Sequence, residues 1–162
     1  MEHSKPYDAP TDYNRDARGM LAKLRISSSL EIFPSGVRDE YIAYSSANVF
    51  RGFHRQIDPH DGVKVFFVIS GNIELYTLDA SQVTEGNHLI EKHIMCEAGQ
   101  ALVVPRGYFT GYLVKSEQAI VMVKSSSSYA PSFQMVISPN EVWPNAVTRD
   151  WLLSDQDKGT HA

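Results

Sequence analysis

Lys64-Val65-Phe66-Phe67-Val68-Ile69, then Ser70-Gly71-Asn72, then Ile73-Glu74-Leu75-Tyr76-Thr77-Leu78 is the stretch that decides how this chain is read. Its two apolar runs are rich in β-branched and aromatic residues, and the small polar residues between them are turn formers. Two strands joined as a hairpin are therefore expected. Outward from there, Tyr41 to Phe50 has the same character. Beyond the polar loop containing Glu85-Gly86-Asn87, apolar runs recur at His88 to Met95, Ala101 to Val104, Thr110 to Val114, Ala119 to Lys124 and Phe133 to Ile137. Each is bounded by Gly, Pro, Ser or Asn, and none sustains a period of 3.6 residues. Many short strands with little helix predict an all-β chain, an antiparallel jelly-roll sandwich or barrel. Leu24-Arg25-Ile26 is the first strand expected, and only the tail from Arg149 to Asp157 suits a short helix. Residues 1–15, polar and carrying Pro6 and Pro10, read as a flexible arm before a single domain over 16–162.

Composition narrows the function classes. A chain of 162 residues with 43% hydrophobic content is long enough for one real core. A net charge of -4 with pI near 5.8 supplies no basic field for nucleic acid. No run has the length of a membrane-spanning helix, and Met1 to Pro6 lacks the apolar centre of a signal peptide. The single Cys96 excludes an internal disulfide. These features predict a cytoplasmic protein acting on small molecules, with Cys96, in Ile94-Met95-Cys96, packed in an apolar setting.

The chemistry concentrates in Arg51-Gly52-Phe53-His54-Arg55-Gln56 and in Lys64. A histidine, an ammonium and two guanidiniums beside an apolar run that holds them rigidly suit an anionic, enolisable substrate. His60, His88 and His93 are scattered and read as structural or surface residues. Gly99, Pro105-Arg106-Gly107 and Thr110 follow the spacing of the second cupin motif, whose last position usually carries a metal-ligating histidine. In the first cupin motif, Lys64 stands where a glutamate ligand would be. A cupin jelly roll without a metal or other cofactor is expected, because a cation in the ligand shell repels a divalent ion.

Further fragments share one order. Asp16-Ala17-Arg18-Gly19, the Arg51 to Gln56 stretch, Lys64 seven residues before Gly71, Val104-Pro105-Arg106-Gly107-Tyr108, Tyr129-Ala130-Pro131 and Leu152 to Gly159 follow the order of the dTDP-4-dehydrorhamnose 3,5-epimerases. The resemblance runs from about residue 16 to 159 and implies a nucleotide diphosphate-sugar as substrate. It implies that His54 is the base beside the C4 ketone and that Lys64 stabilises the enolate. It further implies that Arg18 and Arg51 hold the diphosphate, with Gln56 in the substrate site and Tyr129 near the nucleotide base. Arg18 would act in the partner subunit's site, which implies a homodimer. Arginine forks suit phosphate oxygens, and a fixed cation suits a developing oxyanion.

The chain also departs from that pattern. Val123 falls where the family has its acid tyrosine. Ser138-Pro139 falls where an Asp-Pro would supply the carboxylate behind the histidine, and Thr110 replaces a further histidine. Asp39 and Tyr41 stand in for Gln and Asn. Loss of a positioned acid removes about 10²- to 10⁴-fold in rate. The expectation is therefore a diverged epimerase or isomerase that exchanges a proton next to the ketone but does not perform ordinary double inversion, with Tyr108 or Tyr112 as alternative acids. The competing reading is a nucleotide-sugar-binding cupin without turnover. A metal-dependent cupin ranks below both.

Overall fold

The computed structural model describes residues 4–83 and 88–158. Among these residues twelve strands form: β1 (Tyr7–Ala9), β2 (Asp12–Asp16), β3 (Gly19–Lys23), β4 (Asp39–Ser46), β5 (Phe50–Gln56), β6 (Lys64–Ser70), β7 (Asn72–Asp79), β8 (Ile90–Cys96), β9 (Ala101–Val104), β10 (Tyr108–Val114), β11 (Gln118–Ser125) and β12 (Gln134–Val136). Two helices of one turn, α1 (Pro139–Val142) and α2 (Asn145–Thr148), follow them. Ten of the strands form two five-stranded antiparallel sheets, in the orders β1-β9-β6-β11-β4 and β12-β5-β10-β7-β8, while β2 and β3 make a separate hairpin. This is the all-β jelly-roll sandwich that the pattern of short strands predicts.

The strand sequences explain the layering. In β11, Ala119, Val121 and Val123 turn inward at every second position, the signature of a sheet with one face on the core. They meet Phe66, Val68, Ile73, Leu75 and Val114 in the main core between the sheets. The central strands β6 and β10 are apolar on both faces because both are covered. Ile26, Ile32 and Phe33 pack on Val65 and Phe67 outside the first sheet. Trp143, Trp151 and Leu153 from the C-terminal segment pack on Phe50, Phe53 and Phe109 outside the second.

Several expectations are corrected. β6 and β7 do not form a hairpin: β6 pairs with β9 and β11, whereas β7 pairs with β8 and β10. Ser70-Gly71 instead carries the chain from one sheet to the other. Gly71 has φ +83°, and a Cβ there would sit 2.2 Å from the Gln118 carbonyl oxygen, so only glycine fits this crossing. The turn residues announce a reversal but not which strand accepts the next one.

The stretch read as an arm supplies structure, since Tyr7, Asp8 and Ala9 pair with Val103, Leu102 and Ala101. Met1 to His3 lie outside the described residues. Leu24 to Ile26 is not a strand; Ile26 is buried with Phe33 instead. The short helices come before Arg149, and the tail expected to be helical is held by a parallel bridge between Val49 and Leu152. Cys96 is exposed rather than packed, because strand alternation gives the inward position to Met95.

Candidate active site

Gly52 sets the geometry of the site. Its φ is +118°, and a Cβ would lie 2.4 Å from the Thr110 carbonyl oxygen and 2.6 Å from Gly111 Cα. Absence of a side chain lets β5 press against β10 at this point. The ladder pairs Phe50 with Leu113, Arg51 with Tyr112 and His54 with Thr110, with a register shift between Thr110 and Tyr112. On its other edge β5 pairs with β12, Val136 opposite His54 and Gln134 opposite Gln56. His54 is thus held between two strands.

Two adjoining pockets of about 410 and 280 Å³ open between the sheets. Tyr41, His54 and Lys64 line both, so they form one cleft with two lobes. Gln56, Tyr129, Val123 and Gln156 complete the larger lobe. Arg51, Thr110 and Tyr112 line the smaller.

His54 Nε2 lies 2.5 Å from Asp157 Oδ1, and the aspartate side chain is only 6% exposed. The carboxylate expected to be lost at Ser138 is therefore supplied from elsewhere. Ser138 is a helix cap: its side chain accepts from Asn140 N, and Glu141 accepts from the Ser138 backbone. Asp157 comes from the C-terminal segment, which is tied down by Phe50 N to Leu152 O at 3.0 Å and Leu152 N to Asn48 O at 2.8 Å. The Trp151 ring stacks on Phe50 at 5.2 Å, and Asp157 N donates to Ser154 Oγ. A carboxylate accepting from Nε2 fixes the ring and leaves the free lone pair on Nδ1.

Lys64 begins β6, opposite Val104 on one side and Ser125 on the other. Burial pushes its pKa below the ordinary lysine value, and Asp61 acts in the opposite direction. Among the described residues its ammonium has no hydrogen-bond partner. Asp61 itself is occupied, accepting from Arg55 at 3.0 Å and from Gly107 N. Arg55 is thereby a structural cation rather than a free one.

Arg51 Nε donates to Ser45 Oγ at 2.8 Å, linking β5 to β4 across the inner end of the cleft. Gln56 Oε1 accepts from Ala130 N at 2.9 Å and so fixes the loop that presents Tyr129, itself 57% exposed. Burial raises the pKa of the Tyr112 phenol, while Arg51 and Ser45 act to lower it. Tyr108 does not line the cleft; its hydroxyl donates to Ser4 O, which removes it as an alternative acid. Arg18 also stands outside the cleft of its own chain, on the tip of the β2–β3 hairpin, where it pairs with Asp16 and is 91% exposed.

Two of the three scattered histidines have other partners, while His88 Nδ1 is buried without a hydrogen-bond partner among the described residues. His60 contacts Ser128 O and the Phe133 ring, and His93 contacts Thr77. Among the described residues no three His, Cys, Asp or Glu side chains gather as a metal site. No described helix is long and apolar enough to cross a membrane. Sequence reading missed Asp157, Gln156 and the cleft position of Tyr41. The Leu153-Ser154-Asp155-Gln156-Asp157 fragment was the available signal for the first two.

Comparison with known proteins places the fold among solved structures. A dTDP-4-dehydrorhamnose 3,5-epimerase from Elizabethkingia anophelis NUHP1 superposes with TM-score 0.76 at 21% identity, covering 100% of this chain and 94% of that one. ChmJ, a 3'-monoepimerase from Streptomyces bikiniensis solved with dTDP-quinovose, gives TM-score 0.80 at 22% identity, over 98% and 85%. NovW, a 4-keto-6-deoxy sugar epimerase from Streptomyces spheroides, gives 0.79 at 20% identity, over 96% and 81%. These likenesses establish a shared fold. A search of curated proteins returns no match. The profile of the dTDP-4-dehydrorhamnose 3,5-epimerases matches residues 9–162, and the chain belongs to that family.

Proposed function

We propose that the protein is an epimerase or isomerase of a dTDP-linked 4-keto-6-deoxysugar, working by proton abstraction next to the ketone. One observation carries the reading: an imidazole backed by a buried aspartate shares a cleft with a desolvated, unpaired lysine. His54 Nδ1 takes the proton, Asp157 stabilises the imidazolium, and the C–H electron pair moves onto the ketone oxygen as an enolate. Lys64 meets that oxyanion, and its lack of a competing partner favours this role. Arg51 neutralises a phosphate of the nucleotide, Gln56 fixes the loop of Tyr129, and Tyr129 covers the base.

Arg18 completes the phosphate site only from a second copy, so a homodimer accompanies this reading. β4 is an edge strand with Ile42 and Tyr44 exposed, a surface suited to being covered. Static light scattering at micromolar concentration checks it, and a monomer would remove the role of Arg18.

The test of the chemistry is incubation with nucleotide-linked 4-keto sugars in heavy water, followed by NMR. Deuterium is expected next to the ketone, with loss of exchange by at least about 10²-fold in His54→Ala. Exchange surviving in that variant removes the base assignment. Tight nucleotide-sugar binding with no exchange in the native protein supports a binding module instead.

A further inference from the structure

We propose that Tyr41 is the proton donor of this site, a phenol on β4 directly across the ladder from Val123, where the family's acid tyrosine is expected. The inference rests on the proton-abstraction reading above. In the β4–β11 register the partners are Tyr41 and Val123, with Phe66 of β6 on the other side of Val123. Directly opposed residues of an antiparallel pair share a face, with Cβ atoms roughly 4.5–5.5 Å apart. A tyrosine side chain is longer than that separation. The missing phenol has therefore moved one strand sideways without leaving the cleft, and Tyr41 lines both lobes beside His54 and Lys64.

Position also selects Tyr41 over the alternative acids Tyr108 and Tyr112. His54 projects from the β5 sheet, whereas Tyr41 belongs to the facing sheet. Inversion needs the proton removed on one side of the carbon and returned on the other. Tyr112 stands next to β5 in the same sheet as His54, and Tyr108 bonds to Ser4 outside the cleft. Tyr41 is 51% exposed, which gives the phenolate a route to solvent for a fresh proton. The cleft walls nevertheless crowd its hydroxyl: burial, then Tyr112 and Asp39, push its pKa up to about 12 against the pull of Arg51. The phenol thus keeps its proton until the enolate takes it.

The step balances. His54 takes the proton from carbon, the enolate forms on oxygen, and Tyr41 O–H delivers its proton to that carbon from the opposite side as the carbonyl re-forms. Tyrosinate then gains a proton from water, and the imidazolium returns one.

The experiment compares native protein, Tyr41→Phe and the swap Tyr41→Val with Val123→Tyr in heavy water, reading exchange and inversion separately by NMR. Native protein is expected to do both. Tyr41→Phe keeps exchange and dTDP affinity but loses at least about 10²-fold in inversion, and the swap regains inversion. Inversion unchanged in Tyr41→Phe, or native exchange without inversion, overturns the role of Tyr41 and leaves the base reading standing. Absence of exchange in the native protein overturns both.

Discussion

The two walls of the cleft hold their polar groups in opposite ways. On the β5 wall the three side chains of that strand assigned to the substrate are already bonded: His54 to Asp157, Arg51 to Ser45 and Gln56 to Ala130. On the facing wall Lys64 and Tyr41 have no hydrogen-bond partner among the described residues, and burial shifts both away from their charged forms. A group that must start the reaction in one tautomer and one orientation gains from being tied before substrate arrives. A group that must answer charge appearing on the substrate gains from having nothing else to bond. On the proposed mechanism, the difference gives each wall its own task.

Releasing the tied wall has the largest expected effect. Asp157→Asn keeps the size of the side chain but lets an amide face the imidazole, so the ring's tautomer is no longer fixed. Exchange next to the ketone should fall on the order of 10²- to 10⁴-fold while nucleotide affinity is kept. An unchanged exchange rate, followed by NMR, would mean that the pair is structural only.

Gly52→Ala tests whether the tied wall depends on the close approach of β5 to β10. Its methyl meets backbone atoms, Thr110 O and Gly111 Cα among them, and it must also hold φ +118°. A cost of about 1–3 kcal/mol follows from such overpacking. Thermal unfolding of this variant within a degree of the native protein would show that the strands part easily.

The free wall should reveal itself in the pH profile. On the proposed mechanism Lys64 acts as its ammonium, and burial lowers its pKa, so exchange should decline as pH rises, beginning below the ordinary lysine value of 10.5. Lys64→Arg stays charged throughout and should lose that alkaline limb, even if its rate is lower. The same limb persisting in the arginine variant would assign it to another group.

Much of this was legible in the residues. Alternation and turn chemistry marked most strands, and the Arg51 to Gln56 stretch with Lys64 marked the cleft, because both are local patterns. The rest depended on contacts between distant segments. Asp157 meets His54 across 103 positions, and the Leu153 to Asp157 fragment marks the segment without showing which residue it touches. The expectation that the carboxylate is lost at Ser138 failed for that reason. Tyr41 became visible only through the register that sets it beside Val123. The tail from Arg149 was read as helix on local propensity, but Trp151 and Leu152 bind Phe50 and Asn48 instead, and tertiary packing prevails over a weak local preference.

The way Asp157 is delivered bears on how the protein fails under stress. The segment that carries it is moored by the bonds of Leu152 and by Trp151 against Phe50, on the outside of a sandwich whose main core lies between the sheets. Segments attached in this manner open with less free energy than the strands beneath them. On the proposed mechanism, warming or mild denaturant is expected to detach the carboxylate while both sheets are still assembled, so that activity falls before the fold is lost. On refolding, the same reading expects the sheets to form first and proton exchange to return only when the tail docks.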